Sequence, residues 1–331
     1  MTRTPLRSVL ATVDYPDDAM AELIRIFAPA PVALVARDDD DGIAAALQHA
    51  DAAVLAKDLD PRFLAAPRLR WVHCDQSGLD RSAAPELFER TDLVVTSSAG
   101  RNAPALAQHV FYFALALAYE APRLLEAQQA HRWTGFADYR DPWALWGKTM
   151  GIVGLGETGK DVAQMARAFG MRTLAYGRSG ADAGAHVDTF LSAAEAGSLS
   201  ELLTQSDFVV LTIRLSDETH HLIGPDELAL MKPTAHLINV ARGSVVDEAA
   251  LVDALVAGTI RGAGLDVFEQ EPLPADAAVW DAPNVLITPH TTLRMRDMID
   301  RTLAIIRDNH ERYRDGRPLV NVLTRSDVYS R

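Results

Sequence analysis

From Ser8 to Ile287 the chain repeats one unit: a short apolar run, then an amphipathic stretch, then another apolar run. Runs of this length with apolar residues in succession suit strands covered on both faces, which means parallel sheets flanked by helices. The runs Ser8–Val13, Val32–Ala36, Ala53–Ala56, Leu69–His73 and Leu93–Thr96 are read as a first set of strands. Helical patterns over Asp18–Phe27, Gly42–Ala50 and Ser82–Arg90 lie between them, the first charges of Asp38–Asp41 suiting a helix start. A long helical pattern then runs from Asn102 to His131, with Pro104 harmless in its first turn and Pro122 expected to kink or end it. A second set follows: Met150–Val153, Thr173–Tyr176, Phe208–Thr212, His236–Val240, Gly264–Val267 and Val285–Ile287, closed by a helix over Leu293–Arg314. The pattern predicts an α/β fold with two doubly wound parallel-sheet domains. A length of 331 residues accommodates two domains at roughly 150 residues each.

Composition narrows the function. A formal charge of -13 argues against nucleic acid or an anionic membrane surface as partner. The single cysteine, Cys74, excludes a disulfide framework and a cysteine-based zinc cluster. No apolar run reaches the roughly 20 residues of a membrane-spanning helix, and the N-terminus has no signal-peptide core. A soluble, cytoplasmic protein is expected. No metal site is expected, since His220 and His221 adjoin without a third ligand at suitable spacing.

The strand Met150–Val153 runs directly into Gly154-Leu155-Gly156-Glu157-Thr158-Gly159 and then a helix. Glycines alone are weak evidence, but this order of strand, glycines and helix is the context a dinucleotide fold requires. Gly154 would make the tight turn, Gly156 would let backbone approach a pyrophosphate, and Gly159 would pack helix against strand. N–H groups of the first turn, from Glu157 and Thr158 onward, would face the phosphates, with the Glu157 side chain turned away. The next strand ends in Tyr176-Gly177-Arg178-Ser179, with no acid to take a ribose 2′-hydroxyl. Guanidinium and hydroxyl there suit a 2′-phosphate, so NADP(H) is the preferred cofactor and NAD(H) a possible one.

Three further segments carry the chemistry: Ile238 to Glu248 with Arg242 at its turn, Gly264 to Pro274 with Glu271, and Ile287 to Thr291 with His290. With these the sequence resembles the D-isomer-specific 2-hydroxyacid dehydrogenase family over nearly its whole length, most strongly from Gly147 to His290. The resemblance implies a catalytic trio of Arg242, Glu271 and His290. Histidine suits a proton donor because the residue type titrates near neutrality. Glutamate on its other nitrogen would fix the tautomer, and arginine would bind a substrate carboxylate and steady charge on the carbonyl oxygen. Singly, each could be an ordinary loop residue; the joint pattern favours the active site.

The same resemblance implies that Asp266 helps hold the nicotinamide, and that Thr212, Thr219, Val240 and Ala241 border the cofactor cleft. Ser77 and Gly78 would form the loop that binds substrate carboxylate through backbone N–H groups, an ordinary turn being the alternative. It assigns residues 1–100 and 292–331 to a flavodoxin-like substrate domain and 101–291 to an inserted Rossmann coenzyme domain. A homodimer is implied, with Val110–Ala118 suited to its interface; Trp143 and Trp146 suit packing or closure over substrate. The Arg178-Ser179 pair is similar to the glyoxylate/hydroxypyruvate reductase branch, giving a reductase of a small 2-oxoacid to its D-2-hydroxyacid. The other reading is a cofactor-sensing protein like the corepressors that share this fold, with little turnover.

Overall fold

Strands of three to six residues, most of them buried along their whole length, form two parallel sheets in the computed structural model. It describes residues 4–59, 61–79, 85–133, 144–178, 183–196, 198–291 and 295–330. The chain divides into two units, Met1–Asn102 with Arg294–Arg331, and Ala103–Leu293.

The first unit holds β1 (Val9–Ala11), α1 (Asp17–Phe27), β2 (Val32–Leu34), α2 (Asp40–Leu47), β3 (Ala52–Leu55), α3 (Pro61–Ala65), β4 (Trp71–Cys74) and β5 (Val94–Ser97). Their order is β2-β1-β3-β4-β5, the flavodoxin-like arrangement, with Val9 opposite both Val32 and Ala52. Asp39 starts α2 by accepting the Gly42 N–H at 2.9 Å, as the acidic run anticipates. The stretch expected as helix over Ser82–Arg90 is instead a short 3-10 turn at Pro85–Glu89; residues 80–84 lie outside those described.

The second unit opens with α4 (Ala103–Ala118) and α5 (Ala121–Gln129), which divide the expected long helix. The Pro122 ring cannot follow a helical carbonyl four residues back, so α4 stops at Ala118. The chain turns through Glu120 in the left-handed region (φ 50°), whose carboxylate takes Arg123 at 3.1 Å and Arg261 at 3.0 Å. Then follow β6 (Thr149–Val153), α6 (Glu157–Ala168), β7 (Arg172–Gly177), α7 (Ala183–His186), β8 (Thr189–Ser192), α8 (Ser198–Gln205), β9 (Phe208–Leu211), α9 (Pro225–Leu230), β10 (His236–Asn239), α10 (Glu248–Val256), β11 (Gly262–Leu265) and β12 (Val285–Ile287). The edge strand β8 escapes sequence reading because its four residues are mostly half-buried and show no long apolar run.

Sheet order is β12-β11-β10-β9-β6-β7-β8. Its direction reverses between β6 and β9, the switch point beside which doubly wound folds bind ligands. Helix α4 packs on α6 and on β10 and β11. Val110, Phe111, Phe113, Ala114, Leu117 and Ala118 are buried within this unit, with Phe111 stacked on Phe169 at 4.9 Å. The stretch expected at a subunit interface is therefore largely core, because α4 is apolar on nearly every side. Tyr112 on α4 and Tyr119 just past its end are exposed.

The last helix, α11 (Met298–Arg314), returns to the first unit and packs on α1. Trp71 stacks on its Tyr313 at 5.9 Å, and Leu323 beyond it donates to the Val95 carbonyl. The rings of Phe27 and Trp71, both buried, each contribute roughly 2–3 kcal/mol by leaving water.

Candidate active site

Three neighbouring strands of the second sheet deliver the three candidate catalytic side chains. After β10, Asn239 folds back on its own turn: its Oδ1 accepts the Ala241 N–H at 3.0 Å, and its Nδ2 donates to the Arg242 carbonyl at 2.9 Å. Arg242 thus leaves the strand in a fixed, extended conformation (φ -143°), half-buried, with Nη1 donating to the Ala241 carbonyl at 2.8 Å. Gly243 comes next, and a Cβ there would fall 1.8 Å from the Phe268 carbonyl carbon. Only glycine lets the loops after β10 and β11 touch in this way. One hydrogen bond further, the Phe268 N–H donates to Glu271 Oε1 at 3.0 Å. The other carboxylate oxygen lies 2.7 Å from His290 Nδ1.

His290 is held by its own backbone as well. Its N–H donates to the Asp266 carbonyl at 2.8 Å, and its φ of 50° is left-handed, a conformation non-glycine residues seldom adopt. Because Glu271 accepts, Nδ1 carries a proton, and Nε2 is the ring nitrogen left for exchange with a substrate. The imidazole is about half exposed and Glu271 about a third, so the pair is accessible. Arg242, Glu271 and His290 therefore belong to one connected loop system.

The glycine loop has the shape a pyrophosphate needs. Gly154 takes φ 102°, where a Cβ would meet the Ile213 backbone at 2.8 Å, and a Cβ on Gly159 would fall 2.2 Å from the Gly154 carbonyl oxygen. Gly156, by contrast, faces open space: a Cβ there meets nothing within 4 Å. No side chain caps α6 at Gly156, so its first N–H groups, those of Glu157 and Thr158 among them, are available to an anion. Glu157 itself turns to Lys160, 3.0 Å away. The residues fit the dinucleotide.

Other expected cofactor residues hold loops in place. Thr212 donates to the Gly154 carbonyl at 2.7 Å, and Gly154 N–H donates to Tyr176, which ties the loop to the end of β7. Thr219 accepts from Ser216 N–H and donates to the Arg214 carbonyl, both at 2.8 Å. Val240 and Ala241 are buried just past β10. Arg178 is exposed immediately after β7; Ser179 lies outside the described residues, as does Trp143. Trp146 is exposed, its ring covering Gly170. Ser77 and Gly78 follow β4 in the first unit, where Ser77 donates to the Ser98 carbonyl at 3.3 Å.

Asp266 is fully buried, and its Oδ1 accepts from Thr288 Oγ1 at 2.5 Å and from Thr291 N–H at 3.1 Å. Thr288 in turn lies 3.0 Å from His109 Nε2 on α4. Sequence reading passed over Asn239 and His109. The first could have been suspected as an amide at a strand end, where such residues close turns. The second is 179 residues from its partner and leaves no local trace.

The family model described as D-isomer specific 2-hydroxyacid dehydrogenase, NAD binding domain, matches residues 111–292, all within the second unit. The chain belongs to this family. It is 38% identical over 271 residues to a glyoxylate reductase of Aeropyrum pernix, covering 80% of this chain and 78% of that one. It is 40% identical over 237 residues to glyoxylate/hydroxypyruvate reductase B of Pectobacterium carotovorum, covering 70% and 72%. The D-isomer specific 2-hydroxyacid dehydrogenase of Xanthobacter autotrophicus, solved with NADPH and MES, superposes with a TM-score of 0.79 at 28% identity, over 97% of this chain and 98% of that one. An NADPH-dependent glyoxylate/hydroxypyruvate reductase of Sinorhizobium meliloti, solved with NADP and sulfate, gives 0.77 at 25% over 96% and 98%. Membership makes this dehydrogenase an oxidoreductase dependent on a nicotinamide dinucleotide. Among its described residues, no helix is long and apolar enough to cross a membrane, and no group of His, Cys, Asp and Glu could hold a metal ion.

Proposed function

We propose that this dehydrogenase reduces a small 2-oxoacid, glyoxylate or hydroxypyruvate, to the hydroxyacid with NADPH as preferred donor. The observation that carries the reading is the 2.7 Å contact of His290 Nδ1 with Glu271, in a loop system that also fixes Arg242. Relatives named for glyoxylate and hydroxypyruvate reduction, and Arg178 at the end of β7, support the choice of substrate and cofactor. The glycine loop would hold the pyrophosphate of the reduced dinucleotide, whose nicotinamide end would supply the hydride for the carbonyl carbon.

The chain's own residues do the rest. Arg242 binds the substrate carboxylate and stabilises negative charge as it gathers on the carbonyl oxygen. His290 donates its Nε2 proton to that oxygen, completing the hydroxyl. Glu271 keeps the ring oriented and balances its charge before the proton leaves. Asp266 orders the His290 backbone and, in this reading, the nicotinamide amide. Residues 1–100 and 292–331 serve as substrate domain, with Ser77 and Gly78 its carboxylate loop, and 101–291 as coenzyme domain. We place the enzyme in the cytoplasm as a homodimer, for which exposed Tyr112, Tyr119, Leu125 and Trp146 supply apolar surface.

The test is loss of reduced-cofactor absorbance across a 2-oxoacid panel, with NADPH and NADH run in parallel. Turnover with glyoxylate or hydroxypyruvate, faster with NADPH, is expected. Tight cofactor binding with no substrate-dependent turnover overturns the reading in favour of a sensor.

A further inference from the structure

We infer that His109, a helix residue with no part in the chemistry above, positions the proton donor His290 through a relay of Thr288 and Asp266; the inference rests on the proposed role of His290. Thr288 has one hydroxyl proton, and it goes to the buried Asp266 Oδ1 at 2.5 Å. The 3.0 Å contact between Thr288 Oγ1 and His109 Nε2 must then be donated by His109, which fixes Nε2 as a protonated nitrogen. Chains of this kind polarise one another, so the His109 donor strengthens the bond Thr288 gives to Asp266.

Asp266 is where the relay meets the site. Its Oδ1 also takes the Thr291 N–H at 3.1 Å, and its carbonyl takes the His290 N–H at 2.8 Å. Those two bonds flank His290 and hold it in the left-handed conformation, which persists only where surroundings over-determine it. His109 is itself steadied by stacking on Phe113 at 4.8 Å, so helix α4 acts as the anchor. Without the donor, Thr288 and Asp266 gain rotational freedom and the His290 backbone loosens.

Two substitutions separate donation from packing. His109→Phe keeps an aromatic ring beside Phe113 and removes the N–H; His109→Gln gives up the ring and places an amide N–H near the same point. Amide hydrogen exchange at His290 and Thr291, read by NMR on the protein without substrate, is expected to rise about tenfold in His109→Phe and to stay near wild type in His109→Gln. In steady-state reduction kcat should fall about tenfold in the Phe variant with KM within about twofold, because the donor and not the binding is disturbed. Thr288→Val cuts the relay from its other end and should reproduce the Phe variant, which covers a failure of that variant to fold. Unchanged exchange in His109→Phe and Thr288→Val, or equal loss in Phe and Gln variants, overturns the inference. A wild-type protein that reduces no 2-oxoacid overturns the functional reading instead, and the exchange measurement still decides the relay.

Discussion

At His290 a left-handed backbone, a carboxylate partner and a buried aspartate meet on one residue. Replacing it with glutamine keeps a polar side chain and removes the transferable proton. Reduction should slow by about 10²–10⁴ with cofactor affinity little changed; a rate close to wild type in steady-state assay would take His290 out of the acid role. Gly243 is as strict in geometry. A methyl group there overlaps the Phe268 backbone, so Gly243→Ala should lose about 1–3 kcal/mol in urea unfolding as the Glu271 loop is pushed away, with activity falling alongside. An alanine variant with native stability and rate would show the two loops to be independent. Arg178→Ala tests cofactor choice: affinity for NADPH should fall far more than for NADH in fluorescence titration, and equal losses would exclude a 2′-phosphate contact. Arg242, Glu271 and His290 were legible in the sequence because each follows a strand in a recognisable segment. Asn239 and His109 were not, since one works within its own turn and the other across 179 residues.

Helix α10 begins where the Arg242 turn ends. Asp247 caps it by accepting the Ala250 N–H at 3.0 Å. Asp247→Ala should lower stability by about 1 kcal/mol in chemical denaturation while kcat stays close to wild type, because the cap serves the helix and not the chemistry. A large kcat loss at preserved stability would instead tie the cap to the active turn. Element positions were largely readable: every strand expected from an apolar run exists, displaced by two residues or fewer at each end. The pattern over Asn102–His131 is expected to kink or end at Pro122, and the structure ends it: α4 stops at Ala118 and α5 begins at Ala121. The misreadings have distinct causes. Strand β8 is short and only partly covered, so it lacks the continuous apolar signature. The last helix, expected from Leu293, begins at Met298; residues 295–297 before it are not helical, and 292–294 lie outside those described.

Each unit of the molecule encloses one neutral histidine. Burial, reinforced by Arg101, pushes His73 down to about 3, and burial with Arg261 does the same for His236. An unfolded chain binds these protons near 6.5, whereas the folded chain refuses them until about 3. The contribution of these two histidines to stability is therefore full above about 6.5 and is lost as pH falls toward 3, one in each unit over the same window. Urea midpoints measured from pH 7 down to pH 4 should fall. His236→Phe, which keeps the ring stack on Phe208 at 5.1 Å, should flatten part of that fall. An identical slope in the variant would assign the acid sensitivity to other groups.

In the second sheet, β6 and β7 carry the glycine loop and Arg178 on one flank of the reversal, while β10, β11 and β12 lead to Arg242, Glu271 and His290 on the other. Under the roles proposed above, the two duties separate: replacements at the tip of β7 would retune which electron carrier is accepted while leaving the acid apparatus untouched. An enzyme laid out this way can change its redox currency by surface drift at one edge, without rebuilding its reactive half.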